Sequence, residues 1–520
     1  MRNKMFSISR FALPLILVIS TTQSQVWTHA VGFLTASNSI SSSKPGADNT
    51  VLIAGHNYDS LAIFDTVLTS NGLYDCYIMQ LDTNGSMLRY TSFGGTGTDK
   101  IFDLDVNDAF DFIVTGVLQK TVTIGDTTFT APATESFFIA EFSADGIFKW
   151  GTVEALSSGN CIRYLKNGAI VVGGQFTDTV VIDGKDTLKS AGNSDIFLSN
   201  YANNGTLLRT QRIGGKKSDF ISAIDVSPEN DIYIAGVFYD TLYIDTVTLI
   251  AQSTFEQSYV VKMDSSGNVL WVKSFLSEHT LETTSLTIDE NGDCFVTGRF
   301  TNNALVDSVT VEADDEYAGF LCKLTPDGDL VWIERYSLVT GNDLILGDND
   351  DLFLAGNFKK KSTFGDITVE SHDIEDIFIA NITRDGTCNW VRNAGGCRAS
   401  YGKTITVNNA HLFIGGYADR QLVTRNCPMQ FGSEVVDYSN DDQGRSFIAI
   451  CNHTIENSVF KPYQLTIPTN GIFESAKNYD LKGRDVIRLQ NAQNERGHSV
   501  THGVYINRTN GRTFRSLVVD

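Results

Sequence analysis

The chain has 520 residues and is acidic, with 40 lysines and arginines against 61 aspartates and glutamates and a net charge of −21. A protein with this balance lacks the basic face that neutralises phosphates, which excludes nucleic acid and anionic membranes as expected partners. Glycine is abundant at 44 residues and proline scarce at 8, a composition typical of many tight turns and few disordered linkers.

Residues 1–24 have the pattern of an export signal. Arg2 and Lys4 precede an apolar stretch over 11–19, and the polar run 21–24 follows it. The apolar stretch is about half as long as a membrane span, so we predict a cleaved signal peptide and no transmembrane anchor.

A short apolar phrase that ends in glycine recurs through the chain from residue 51 onward. Its copies read VLIAG, FIVTG, IVVGG, IYIAG, CFVTG, LFLAG and LFIGG. Their glycines are Gly55, Gly116, Gly174, Gly236, Gly298, Gly356 and Gly416, spaced 58 to 62 residues apart. Seven copies at a constant period predict an array of structural repeats.

A second phrase has the same period and predicts a β-hairpin in each repeat. The copy at 259–275, YVVKMDSSGNVLWVKSF, places two β-prone runs around Ser266-Gly267. The turn glycines of the six copies are Gly85, Gly146, Gly205, Gly267, Gly328 and Gly386. We predict a primed two-residue turn at each, because such turns need positive φ. A run such as 242–251, LYIDTVTLIA, adds a small extra hairpin that explains the long repeat.

The two ends of the repeat array complement each other. After Gly416 the chain offers only one strand of the second phrase, at 447–451, whereas residues 26–30 offer an isolated strand near the start. All five tryptophans are assigned to one position of the repeat, with Trp27 filling it in the last unit. A terminal strand that completes the last repeat is typical of a ring. We therefore predict an all-β fold with a seven-bladed β-propeller over 25–455, closed by the N-terminal strand.

The combined phrases resemble those of bacterial secreted seven-bladed β-propeller repeat proteins over residues 26–454. The resemblance rests on [VI]-x-[VI]-[AT]-G, F-I-A and the D/S-G-x-x-x-W pattern. It implies a propeller fold and export, without a single activity.

The 60-residue period stops near residue 456, and a second domain is predicted over 456–520. Its runs YDLKGRDV, HGVYINRTNGRTF and SLVV resemble the C-terminal sorting domain of type IX secretion substrates. The resemblance implies a small β-sandwich-like domain, the secretion machinery as a partner, and an extracellular or outer-membrane-surface location.

Motifs that carry chemistry are weak, so we predict no catalytic, cofactor-binding or metal-binding residue. Gly402-Lys403-Thr404 lacks the first glycine of a phosphate loop and no helix is expected after it. The run Asp289-Glu290-Asn291-Gly292-Asp293 suits a tight turn, with structural calcium as the open alternative. Eight cysteines permit disulfides or unpaired core thiols, and spacing does not decide between them.

The residues that follow the strand glycines differ from blade to blade, and alternation places them on one face, either towards the channel or at a blade interface. They are His56, Val117, Gln175, Val237, Arg299, Asn357 and Tyr417. The favoured function is a secreted or cell-surface binding module for carbohydrate or protein. The alternatives are a polysaccharide-active enzyme and a structural surface module. Clustered acids at a channel mouth would favour the enzyme, whereas aromatics and amides would favour binding.

Overall fold

The computed structural model describes residues 27–33, 38–63, 66–155, 157–184, 186–347, 350–396, 399–419, 428–436, 445–452, 478–479, 485–488, 503–509 and 512–518. The predicted signal peptide lies outside these ranges. The chain divides into two compact units, Met1–Ile455 and Glu456–Asp520. The first unit is a seven-bladed β-propeller, as predicted, in which every blade is a four-stranded antiparallel sheet.

Four strands make up each blade, from the innermost to the outermost. Blade I consists of β2 (Asn38–Pro45), β3 (Val51–Ile63), β4 (Thr66–Leu81) and β5 (Met87–Phe93). Blade II consists of β6 (Lys100–Val106), β7 (Phe112–Leu118), β10 (Ser136–Phe142) and β11 (Phe148–Glu154). Blade III consists of β12 (Ser158–Tyr164), β13 (Ile170–Phe176), β16 (Asp195–Tyr201) and β17 (Leu207–Ile213). Blade IV consists of β18 (Phe220–Val226), β19 (Ile232–Phe238), β22 (Gln257–Met263) and β23 (Val269–Leu276).

The remaining three blades follow the same order. Blade V consists of β24 (Leu281–Ile288), β25 (Cys294–Phe300), β28 (Ala318–Leu324) and β29 (Leu330–Ser337). Blade VI consists of β30 (Val339–Leu346), β31 (Leu352–Phe358), β34 (Asp376–Ile382) and β35 (Cys388–Ala394). Blade VII consists of β36 (Ser400–Asn408), β37 (His411–Ala418), β40 (Arg445–Asn452) and, outermost, β1 (Trp27–Gly32).

The predicted extra hairpin is present in every blade, between the second and third strands. In blade I it is formed by the far ends of β3 and β4. The others are β8 (Thr121–Ile124) with β9 (Thr127–Thr130), β14 (Thr179–Ile182) with β15 (Asp186–Lys189), β20 (Thr241–Ile244) with β21 (Val247–Ile250), β26 (Asn303–Val306) with β27 (Val309–Glu312), β32 (Lys361–Phe364) with β33 (Ile367–Glu370), and β38 (Met429–Phe431) with β39 (Glu434–Val436).

These hairpins connect neighbouring blades. In the blade IV–V contact, β26 pairs with the outer strand β23 of the preceding blade through Phe275 opposite Val306. Single bridges join Gly95 to Val122 and Gly214 to Tyr243 in the same way. The extra hairpins therefore cover part of the outer strand edges that would otherwise be open to pairing with another chain.

The turn glycines adopt positive φ, but the predicted turn type is wrong. At the blade V turn, the Gly328 N–H donates to the Thr325 carbonyl at 2.9 Å and the Thr325 N–H donates to the Asp329 carbonyl at 2.8 Å. Gly328 has φ 88° and the ladder register shifts between Lys323 and Leu324. This is the pattern of a three-residue loop with a bulge, which needs only one residue with positive φ.

The N-terminal strand closes the ring, as predicted. Strand β1 pairs antiparallel with β40, with Ala30 opposite Ala449. The Phe33 N–H extends this contact by donating to the Ser446 carbonyl at 2.9 Å. Blade VII is thus built from both ends of the propeller sequence.

The assignment of Trp27 to the shared tryptophan position is wrong. Trp27 lies opposite Cys451 in blade VII. The residue equivalent to Cys451 in blade II is Phe142, because each of the two pairs with the first residue of the glycine-ended phrase in its own blade. The outer-strand partner of Phe142 is Phe148, whereas Trp150 lies opposite Glu141. A bulge between Trp27 and His29 therefore places His29 in the tryptophan position, and Trp27 packs edge-to-face on Phe431 of the blade VII hairpin.

The tryptophan position contacts the hairpin turn of the next blade. The Trp332 Nε1–H donates to the Arg384 carbonyl at 3.1 Å, and the Trp271 Nε1–H donates to the Pro326 carbonyl at 2.9 Å. A Cβ on Gly328 would lie 2.9 Å from the Trp271 ring. Arg89, at the same position, donates to the Ala144 carbonyl. This position therefore aligns each turn with the blade before it.

The six cysteines in the described part of the chain are free thiols. Cys294 and Cys322 lie on adjacent strands of blade V, as expected, and are fully buried in one apolar cluster. These two thiols fill core space.

The second unit contains one antiparallel sheet in its described residues. The strands are β41 (Asn478–Tyr479), β42 (Asp485–Arg488), β43 (Gly503–Thr509) and β44 (Arg512–Val518), paired in that order. Antiparallel ladders join β41 to β42 and β43 to β44. The sorting role of this unit stays a prediction. Across the described ranges, no helix is long and apolar enough to cross a membrane.

Candidate binding site at the upper mouth of the channel

The innermost strands of the seven blades enclose a central channel. Each of them carries one β-bulge near its start, and the bulged residues line a common cavity of about 340 Å³. These residues are Ser41, Phe102, Asn160, Ser222, Thr284, Asn342 and Lys403. We call the end where the inner strands begin the upper mouth and the other end the lower mouth.

Below the bulges, polar side chains connect the blades around the channel. Asp343 accepts hydrogen bonds from the Ser285 hydroxyl at 3.1 Å and from the Ile405 N–H at 2.9 Å, which joins blades V, VI and VII. Asp103 joins blades I, II and III in the same way. The Ser43 N–H donates to the Thr404 hydroxyl at 3.1 Å across the closure between blades I and VII. The carboxylates of Asp103 and Asp343 therefore hold the ring together.

The residues that follow the strand glycines surround the upper mouth. Each pairs with an early residue of the inner strand in its own blade. The pairs are Ser39–His56, Lys100–Val117, Ser158–Gln175, Phe220–Val237, Glu282–Arg299, Thr340–Asn357 and Tyr401–Tyr417. All seven therefore lie at the upper end of their blades, and Val237 lines the cavity at the mouth.

Two stacked tyrosines form an aromatic surface in blade VII. The Tyr401 and Tyr417 ring centroids are 4.8 Å apart, with an interplanar angle of 26°. The Lys403 ammonium lies 6.0 Å from the Tyr401 centroid and 5.7 Å from that of Tyr417. Burial, together with Glu375 and Tyr417, raises the pKa of Tyr401 to about 12. Both rings are therefore neutral and can stack on a ligand.

The carboxylates near the upper mouth are engaged by neighbouring side chains. Arg299 contacts Glu282 through Nε at 3.1 Å and Nη2 at 3.2 Å. The Tyr239 hydroxyl donates to Glu256. Deeper in blade VI, the Asn357 amide donates to Glu375. These contacts use carboxylate oxygens that acid–base chemistry would need.

The lower mouth holds a mixed set of charges around a cavity of about 430 Å³. Arg163 donates to Asp103 at 2.6 Å, and the Lys44 ammonium lies 3.8 Å from Asp105. Burial raises the pKa of Asp105, while Lys44 and Arg163 act in the opposite direction. Arg163 and Lys44 are thus each paired with a carboxylate of the channel.

The two motifs considered for phosphate and calcium have structural explanations. Lys403 lies within the continuous strand β36, which is not the strand-to-helix loop that binds phosphate. Asp289 accepts the N–H groups of Asn291 and Asp293 at 2.9 Å, and its other oxygen lies 3.4 Å from Arg384. Within the described ranges, no three His, Cys, Asp or Glu side chains are grouped to hold a metal ion. Calcium at this turn stays an untested alternative.

Comparison with known proteins gives limited similarity. No protein-family model matches the chain. An uncharacterized WD repeat-containing protein of Acanthamoeba polyphaga mimivirus is 23% identical over 274 residues, 42% of this chain and 20% of that protein. The match thus spans about a fifth of the viral protein.

Two propellers are among the solved structures that the chain matches. The Dos1 propeller matches with 8% identity and TM-score 0.34, covering 62% of this chain and 90% of that one. The WD40 propeller domain of Doa1 matches with 13% identity and TM-score 0.23, covering 52% and 92%. This chain is a seven-bladed β-propeller with WD-repeat similarity. Because these TM-scores are low, they indicate nothing about its ligand.

Sequence reasoning named no site residue, and the upper mouth supplies several. The missed residues include Lys403, Asn342 and Ser222, which come from different blades. A usable signal existed, since the bulged residues precede the strand glycines by 13 or 14 positions in every repeat. Aligning the repeats at that position would have placed all seven in one ring.

Proposed function

We propose that this protein is an exported interaction module that binds a protein partner through the upper mouth of its propeller. The observation that carries the proposal is the composition of that mouth: Tyr239 and the Asn342 amide line its cavity, and the stacked Tyr401 and Tyr417 adjoin Lys403, which lines it too. Aromatic side chains are enriched where proteins bind one another, because they contribute large, rigid contact areas. The WD-repeat similarity agrees with an interaction role.

Exposed apolar side chains at the same position of three blades support a protein as the ligand. Leu73, Phe255 and Ile374 are 51%, 42% and 42% exposed. They occupy the same position of the repeat, two residues before the third-strand residue that pairs with the second residue after the strand glycine. Phe255 also stacks on His279 with centroids 3.9 Å apart. All three lie on the side of the ring where the inner strands begin, one each in blades I, IV and VI, so they offer separate apolar contact points on that side.

Carbohydrate is the second candidate ligand. The stacked pair Tyr401 and Tyr417 offers an aromatic surface, and Asn342 provides an amide in the lining of the mouth. Pockets for small polar ligands combine aromatic walls with a few polar groups. The polysaccharide-active enzyme is less supported, since hydrolysis needs a pair of available carboxylates and those of Glu256 and Glu282 are engaged.

Export and surface sorting form the other part of the proposal. The residues that support them are the charged and apolar pattern over 1–24 and the YDLKGRDV run near the C-terminus. A partner at the cell surface, rather than a cytoplasmic one, follows from that location.

A binding screen tests the proposal. The full chain is applied to a displayed peptide library and to a glycan array, and each ligand is retested on two variants. The double variant Tyr401→Ser/Tyr417→Ser removes the aromatic surface. The control Phe110→Asn removes an exposed aromatic beside the lower mouth, at φ 60°, a conformation that asparagine accepts. We expect loss of binding only in the double variant, and loss only in the control would refute the proposal.

A further inference from the structure

We propose that Lys403 binds one carboxylate of the partner, the side chain of an aspartate or glutamate that enters the upper mouth. This inference rests on the proposed function and names the chemistry that the mouth recognises. The carboxylate would accept hydrogen bonds from the Lys403 ammonium, beside the rings of Tyr401 and Tyr417.

The position of Lys403 in the channel distinguishes it from the other bulged residues. It is the one charged side chain among the seven described bulged positions, the others being Ser, Phe, Asn, Ser, Thr and Asn. It also lines a cavity of about 520 Å³ at the upper mouth, together with Phe220, Val237 and Tyr239. A bound side chain could therefore reach this ammonium from solvent.

Lys403 has no carboxylate partner among the ion pairs of the described residues, unlike Lys44, Lys262 and Lys323. Burial lowers the pKa of the Lys403 ammonium, the nearby Arg299 lowers it further, and Glu375 only partly opposes them. The ring of each tyrosine provides a weak attraction for the cation. A ligand carboxylate would supply the missing counter-charge and gain a charge-assisted hydrogen bond.

The surroundings of Lys403 favour a single carboxylate over a polyanion. Glu256 lines the same cavity and adds a negative charge next to any ligand, whereas the charge of Glu282 is offset by Arg299. A ligand with many negative charges would be repelled by Glu256 and by the net charge of −21. The apolar walls at Phe220 and Val237 match the methylene groups of a glutamate. An acidic residue within an otherwise neutral peptide fits these conditions.

A peptide array with matched acidic and amide residues tests the inference. Peptides selected by the full chain are resynthesised with each glutamate changed to glutamine and each aspartate to asparagine. We expect one position where the acid binds about tenfold more tightly than its amide. This preference should vanish in Lys403→Met and persist in Lys403→Arg, which keeps the charge.

A lysine outside the channel provides the control. Lys359 lies over the Tyr317 ring at 5.4 Å, a similar cation–aromatic contact, so Lys359→Met should retain the acid preference. If no peptide binds, both the inference and the protein-binding proposal fail. If peptides bind without any acid preference, or the preference survives Lys403→Met, only the inference fails.

A direct measurement covers the case in which Lys403→Met does not fold. Lysine side-chain NMR signals of the wild-type protein are followed while N-acetylglutamate α-amide is added, and again with N-acetylglutamine α-amide. We expect the Lys403 signal to move with the first compound only, with a rise of its pKa. An unchanged Lys403 signal, or equal movement with both compounds, would overturn the inference.

Discussion

Removal of the Trp27 side chain should weaken the closure of the ring. Trp27 is 3% exposed, contacts Phe431 edge-to-face at 5.2 Å and belongs to an apolar cluster with Trp390 and Phe447. Burying a tryptophan removes about 150–250 Å² from water, worth about 4–6 kcal/mol at about 25 cal/mol per Å². This figure is an upper bound because the unfolded chain already hides part of the area. Trp27→Ala should therefore lower the free energy of unfolding by about 3–5 kcal/mol.

Hydrogen exchange shows where that loss is felt. Strand β1 joins blade VII through its non-covalent contacts with β40, so Trp27→Ala should raise exchange first at 447–451. Trp332→Ala is the matched control, because Trp332 is half-buried and lies in a blade made of continuous chain. We expect the control to loosen blades V and VI while 447–451 stay protected. Unchanged exchange at 447–451 in Trp27→Ala would refute the reasoning.

Three further changes have defined outcomes. Burial, and after it the nearby Asp195, raises the pKa of the Asp219 carboxyl from 3.8 to about 7. The proton that Asp219 holds in the folded protein therefore stabilises the fold, fully below pH 3.8, and this stabilisation is lost as pH rises through about 7. The free energy of unfolding of Asp219→Asn, measured by chemical denaturation, should therefore rise relative to that of the wild type between pH 5 and pH 8, by on the order of a few kcal/mol. A difference that does not change with pH would contradict this. Thr404→Val removes the acceptor of the Ser43 N–H and should cost about 1–3 kcal/mol of unfolding free energy, whereas an unchanged denaturation midpoint would show that this bond is dispensable. Deletion of 457–520 should leave a soluble propeller that stays in the periplasm of its native host, and surface display of the truncated protein would refute the sorting role.

The blade number and the ring closure could be predicted because the repeats carry strong local signals. Each blade has a glycine-ended strand and a glycine turn at a fixed period, and in both places the backbone conformation or close packing requires glycine.

The assignment of Trp27 failed because a β-bulge is not visible in the residue pattern. It matched Trp27 by residue type, whereas the bulge before His29 shifts the ladder and puts a different residue in that position.

The upper mouth is harder to predict from the sequence than the ring, because its residues come from different repeats and only an alignment of those repeats brings them together. Tyr401 and Tyr417 belong to one blade, but Phe220, Glu282 and Asn342 reach the same mouth from three others. Their convergence depends on the curvature of the ring and on one bulge per inner strand. The engagement of Glu282 by Arg299 is likewise a matter of side-chain geometry that residue spacing does not reveal.

The central claim is that ligands bind at the upper mouth, and a hydrogen-exchange footprint tests it most directly. The full chain is measured with and without the tightest peptide or glycan from the screen. We predict added protection at 401–403 and around Tyr239, with the lower-mouth turn at 107–110 unchanged. Protection confined to 107–110 or to the outer strands would contradict the account.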